Sequence, residues 1–190
     1  MSTDIPQNHP LRQLFHSLVE STFTETRLAQ DALSRGIDGY ITNLLVEFCN
    51  ADKISKIKNA EGVGVTTVRD LLYESEVLAN ACDFRREEEV HKHIGDFTLF
   101  FAGVFPEYLK HLKTENMVYH PDHIIDHVKA GKRSYSIVAM HRDSKESALY
   151  EGLSSEFELN VLCLNLARKR LDKMADPTYR RIWSTTPTIL

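Results

Sequence analysis

Apolar side chains recur along this chain three and four residues apart, the spacing that gathers them on one face of an α-helix. Leu11, Leu14, Phe15, Leu18 and Val19 follow that pattern behind Pro10, a residue suited to a first helical position, and predict a helix from Pro10 to about Arg27. After the break at Gly36 and Gly39, Tyr40, Ile41, Leu44, Leu45 and Phe48 predict a second helix ending near Asn50. Ala51 to Gly64 is Lys-rich, carries Gly62 and Gly64, and reads as a connector with a short helical turn and the greatest mobility in the chain. Thr66 or Thr67 is placed to cap a third helix running through Val68, Leu71, Leu72, Val77 and Leu78.

The fourth predicted helix, about Asp83 to Val104, is bounded by Pro106. A fifth begins at Pro121 with Ile124, Ile125 and Val128, is weakened in its middle by Gly131, and resumes through Tyr135, Ile137, Val138 and Met140 as one helix or two. The sixth, about Lys145 to Met174, carries Leu149, Leu153, Phe157, Val161, Leu164 and Leu171 on one face. Leu159, Leu162 and Leu166 lie nearly opposite, so this helix is expected to be central or shared with a second subunit. No segment alternates as a half-buried strand does. The expected fold is all-α, an antiparallel bundle of about six helices spanning residues 10–176, with a lead-in at 1–9 and a tail at 177–190.

Composition narrows the functional classes. The chain has 190 residues, 42% hydrophobic and 26% charged, enough for one core without metal or disulfide staples. Its formal charge of −4 is spread with both signs interspersed, which disfavours nucleic acid and anionic membrane as partners. The basic clusters at Lys53, Lys56 and Lys58 and at Arg168 to Arg170, with Arg180 and Arg181, read as solvated charge. Cys49, Cys82 and Cys163 are odd in number and far apart, so they read as reduced thiols. No apolar run approaches the roughly 20 residues of a membrane span, and the first residues lack a signal-peptide core, so a cytoplasmic protein is expected.

The fourth helix holds the leading candidate site. At about 100° per residue, Arg86, Glu89, His93 and Asp96 form one polar stripe along the margin of the face carrying Val90, Ile94, Phe97, Phe101 and Val104. Burying ionisable groups is costly unless they pair with one another or meet a ligand. The stripe therefore reads either as a structural network or as a binding site, and Glu156, Asn160 and Cys163 on the sixth helix are placed to meet it. His123 and His127, with His120 near them, share one side of the fifth predicted helix at a spacing that can chelate a divalent ion, a weak signal on its own; flanked by Asp122 and Asp126, this side is expected to be a solvated rim, with a metal site as the alternative. Only one Glu-x-x-His pair, Glu88 with His91, is present, where bundle di-iron sites need two. No metalloprotease helix motif, phosphate-binding glycine loop or nucleophile elbow occurs.

Three segments, REEEVHKHIGDFTLFFAGVFPE from Arg86, GKRSYSI from Gly131 and LSSEFELNVLCLNLAR from Leu153, resemble a family of uncharacterised bacterial all-helical cytosolic proteins. The resemblance implies a compact helical domain of bacterial origin and assigns no activity or cofactor. From the residues themselves, the leading expectation is a non-enzymatic ligand- or partner-binding regulatory protein with a buried polar site around His93, self-associating as a dimer. The alternative is a metal-dependent enzyme using iron, zinc or manganese inside the bundle.

Overall fold

A computed structural model describes residues 6, 8–26, 35–76, 83–114, 117 and 119–174. Nine helical segments occupy them: α1 Pro10–Glu25, α2 Ile37–Phe48, α3 Ala51–Ile54, α4 Val68–Glu74, α5 Phe84–Val104, α6 Pro106–Leu112, α7 His127–Met140, α8 Ser144–Ser155 and α9 Phe157–Lys173. The described residues contain no strand, only an isolated bridge between Lys58 and Gly64 in the connector. The expected all-α class is what the chain adopts. Val77, Leu78, Cys82, Arg180 and Arg181, the expected end of the first helix at Arg27 and the tail at 177–190 lie outside the described residues.

Local chemistry sets the helix starts. Thr67 accepts from the Asp70 amide at 3.2 Å to start α4, and Asp83 accepts from the Arg86 amide at 2.8 Å to start α5. Asp126 caps α7 through the Lys129 amide, and Asp143 caps α8 through the amides of Lys145 and Glu146. The cap at Asp126 explains why this helix begins at His127 rather than Pro121. The chain from Pro121 to Ile124 is a series of turns that leaves Ile124 in solvent instead of on a core face. The long sixth helix is likewise two elements, because α8 ends at Ser155 and α9 begins one residue later, past Glu156.

Helix α5 is the hub. It packs on α7 and α9 most extensively, on α4 at another side and on α2 at a fourth, while α1 joins α2 to α9 and α8 lies on α7. From Ile94 to Val104 every residue of α5 is buried, so only its first turns reach solvent. Three glycines make the closest crossings possible, among them Gly103, where a Cβ would lie 2.5 Å from Leu164 of α9. A Cβ on Gly95 would lie 2.5 Å from the Tyr135 ring, and one on Gly131 would run into Thr98 and Phe157. Gly131 is thus a packing residue of α5, α7 and α9, buried and helical rather than a weak point in its helix.

Phe15, Phe23, Phe48, Phe97, Phe100, Phe101 and Phe157 fill the core. The second apolar face of α9 is only partly covered: Leu159 and Leu166 are half-buried, and Leu162 is 46% exposed. Among the described residues no helix is long and apolar enough to cross a membrane.

Candidate functional site

The four-residue stripe on α5 divides at its midpoint. Arg86 and Glu89 stay at the surface, paired with each other at 3.2 Å, and Arg86 Nη2 also donates to the Lys58 carbonyl at 2.9 Å. This half clasps the connector against α5. His93 and Asp96, one and two turns further into the bundle, are buried.

Asp96 is the centre of a polar cluster inside the core. Its Oδ1 accepts from the Tyr40 hydroxyl of α2 at 2.5 Å and the Tyr135 hydroxyl of α7 at 2.9 Å, and its Oδ2 accepts from Lys92 Nζ at 2.8 Å. Lys92 also lies 5.1 Å from the Tyr40 ring centre. Tyr150 of α8 closes the group edge-on to Tyr40, with ring centres 5.7 Å apart. Three helices therefore meet on one carboxylate, and α8 packs against them through the Tyr150 ring. Burial, followed by the Asp96 charge, pushes the Tyr40 and Tyr135 hydroxyls well above the usual tyrosine range. For Lys92, burial works against the charge, but Asp96 and its hydrogen bond, with Tyr150 and Glu47, outweigh it and raise the amine. Both tyrosine hydroxyls therefore stay neutral and the Lys92 amine stays charged near neutral pH.

His93 is different. Its Nε2 lies 2.9 Å from the Ile54 carbonyl, which can only accept, so the ring proton sits on Nε2. The Nδ1 lone pair is buried and has no hydrogen-bond partner among the described residues. Phe48 and Phe97 pack about the ring, with centres 5.9 and 6.2 Å away. Burial, and then the nearby Lys56 cation, lower its pKa to about 4, so the imidazole is neutral at pH 7. Lys56 is itself half-buried and forms no hydrogen bond or ion pair among the described residues; burial and the Lys92 cation lower its pKa.

The other expected partners go elsewhere. Glu156 sits at the break between α8 and α9, 4.0 Å from Arg35. Asn160 is fully buried with both amide atoms unpartnered, and neither residue is hydrogen-bonded to His93 or Asp96. Cys163 lies 3.6 Å from the Thr26 hydroxyl, and burial raises its thiol pKa, as burial raises that of Cys49 to about 12, so neither is a ready thiolate. Glu88 pairs with Arg142, and His91 with Ser134, so the lone Glu-x-x-His pair is divided between two contacts.

The histidine pair at the start of α7 forms neither the solvated rim expected of it, since His127 and Asp122 are buried, nor the alternative helical chelate. His123 lies in the irregular turns before the helix, and its Nδ1 donates to the Leu112 carbonyl at 2.7 Å. His127 is buried at the first helical position, with Nε2 3.9 Å from Asp122. Asp122 in turn accepts from the Val68 and Arg69 amides at 2.9 Å each, which ties the turn to the start of α4. Among the described residues no three or more His, Cys, Asp or Glu side chains are grouped to hold a metal ion.

Sequence reasoning missed Tyr40, Lys92, Tyr135 and Tyr150. Lys92 carried a usable signal, since it precedes Asp96 by one helical turn. The tyrosines fit the apolar pattern of their helices, and only the rule that a buried hydroxyl seeks a partner would have marked them. No protein-family model, curated protein or solved structure matches this chain.

Proposed function

We propose that this chain is a non-enzymatic ligand-binding or regulatory domain whose polar site lies at His93, beside the Asp96 cluster, within an antiparallel arrangement of its longer helices. The observation that carries this reading is the buried, unpartnered Nδ1 of His93. A buried acceptor without a donor costs on the order of 1–3 kcal/mol, and a ligand that supplies an N–H or O–H group recovers that energy. Lys56, which forms no direct ion pair among the described residues, stands beside it to hold an anionic part of the same ligand.

Catalysis is less well supported. Asp96 has taken up three donors, the tyrosines and thiols are held protonated, and His93 is too weakly basic to collect protons near neutral pH. The test uses protein labelled with ¹⁵N at histidine, titrated with small carboxylates, amino acids and nucleotides, while metal content is measured on untagged protein. A ligand that moves the His93 Nδ1 resonance, in protein free of stoichiometric metal, is the expected result. Stoichiometric iron, zinc or manganese would replace this reading with the metal-dependent enzyme. A His93 resonance unmoved by every ligand class would reduce His93 to a core residue.

A further inference from the structure

A cleft lies on another side of α5, between α4 and α7. His91 precedes His93 by two residues, about 200° around the helix, and it faces α4 and α7 rather than the Asp96 cluster. Here Leu72, Ser75 and Glu76 at the end of α4, Glu87 and His91 on α5, and Arg133 and Ile137 on α7 line an open cleft of about 480 Å³. That volume is in the range of small-molecule sites.

The charges around it are unspent. The side chains of Glu76, Glu87 and Arg133 form no hydrogen bond or ion pair among the described residues, although both signs line the same opening. In the wall, His91 Nδ1 is 3.1 Å from the Ser134 hydroxyl. Ser134 is fully buried and has no other side-chain partner among the described residues, so its hydrogen goes to Nδ1. The His91 proton is then on Nε2, which makes that edge of the ring a donor. Burial, then the Arg133 guanidinium and the neighbouring His141, lower the pKa of His91 to about 4, so it remains a neutral donor at pH 7.

We propose that this cleft binds a free α-amino acid with an apolar side chain. Arg133 and the His91 Nε2–H hold its carboxylate, Glu76 and Glu87 hold its ammonium, and Leu72 and Ile137 pack on its side chain. A guanidinium and a neutral donor are suited to a carboxylate, and two unpaired carboxylates are suited to an ammonium. A simple anion would meet the two glutamates, and a simple cation would meet Arg133. Only a ligand carrying both charges satisfies the opening. The inference does not depend on His93, which faces away from this cleft.

Calorimetric titration of the full chain with L-leucine tests the proposal, with N-acetyl-L-leucine and L-leucinamide as analogues that each lack one charge. L-leucine is expected to bind saturably, and each analogue to bind about tenfold more weakly or worse. Arg133→Gln, at an exposed position, should weaken L-leucine by a similar factor while leaving the helical circular dichroism unchanged, and Glu87→Gln should do the same from the other end. No saturable binding of L-leucine at millimolar concentration, or equal binding of the three compounds, would overturn the proposal. Binding that survives both substitutions would also overturn it.

Discussion

At the scale of single residues, the molecule depends on Asp96. Removing its carboxylate leaves the Tyr40 and Tyr135 hydroxyls and the Lys92 amine without their common acceptor. Asp96→Ala should therefore cost about 3 kcal/mol or more in chemical denaturation, whereas Tyr135→Phe, which leaves two donors in place, should cost about 1.5 kcal/mol. Equal losses for the two would show that Asp96 is not the shared centre. The buried histidines set a pH limit. His91 and His93 have pKa values lowered to about 4, so the unfolded chain, with ordinary histidines near 6.5, binds their protons more tightly. Their contribution to stability is complete above pH 6.5 and is lost as the pH falls toward 4, at about 1.4 kcal/mol per pH unit for each. The melting temperature should drop between pH 7 and pH 5, and His93→Gln should flatten that drop; a profile unchanged by the substitution would refute the assignment. Part of this was legible in sequence, because Asp96 and His93 stood on a polar stripe beside an apolar face. Arg86 and Glu89 share that stripe by angle alone, because helical geometry reports an angle around the axis and says nothing of depth along it.

At the scale of elements, periodicity located the helices and missed several of their ends. Pro121, Ile124, Ile125 and Val128 share the spacing of a helix, yet Asp126 caps α7 and the turns before it are held by contacts far away in sequence, from Asp122 to Val68 and Arg69 and from His123 to Leu112. Such contacts leave no local mark. Gly131 illustrates the opposite error, since a residue of low helix propensity is retained where neighbouring helices come too close for a Cβ. Gly95 makes that competition measurable. Gly95→Ala gains about 1 kcal/mol of helix propensity, but its methyl would lie 2.5 Å from a Tyr135 ring whose hydroxyl is pinned to Asp96. The clash should win, with a net loss of about 1–3 kcal/mol. In a Tyr135→Leu background, which removes the ring, the penalty should shrink; a stabilised single variant would show that α5 and α7 have room to separate.

At the scale of the whole molecule, the all-helical class followed from the absence of any alternating segment, while the packing of the nine described segments, with α5 as their hub, could not be read from patterns that describe one helix at a time. The surface left over bears on assembly. We propose that the chain pairs with a second copy across α9. Within one chain, α9 turns Phe157, Asn160, Cys163, Leu164, Ala167 and Leu171 inward, half-covers Leu159 and Leu166, and leaves Leu162 46% exposed. The neighbours of Leu162 on the outer face have opposite charges at the two ends, Glu158 one turn before it, already paired with Lys132 at 2.9 Å, and Lys169 two turns after it, and both are exposed. A twofold axis near Leu162 runs the two helices antiparallel, places each leucine against its copy and brings the Glu158 end of one chain toward the Lys169 end of the other. Completing the burial of Leu162 on both copies contributes about 2 kcal/mol, so the pairing is weak and concentration-dependent. Light scattering should give a mass that rises above 21.8 kDa as the protein is concentrated, and Leu162→Glu should hold it at the single-chain value without altering the melting temperature of the dilute protein. A mass of one chain at every concentration would remove the dimer, and a dimer indifferent to Leu162→Glu would place the contact on another face.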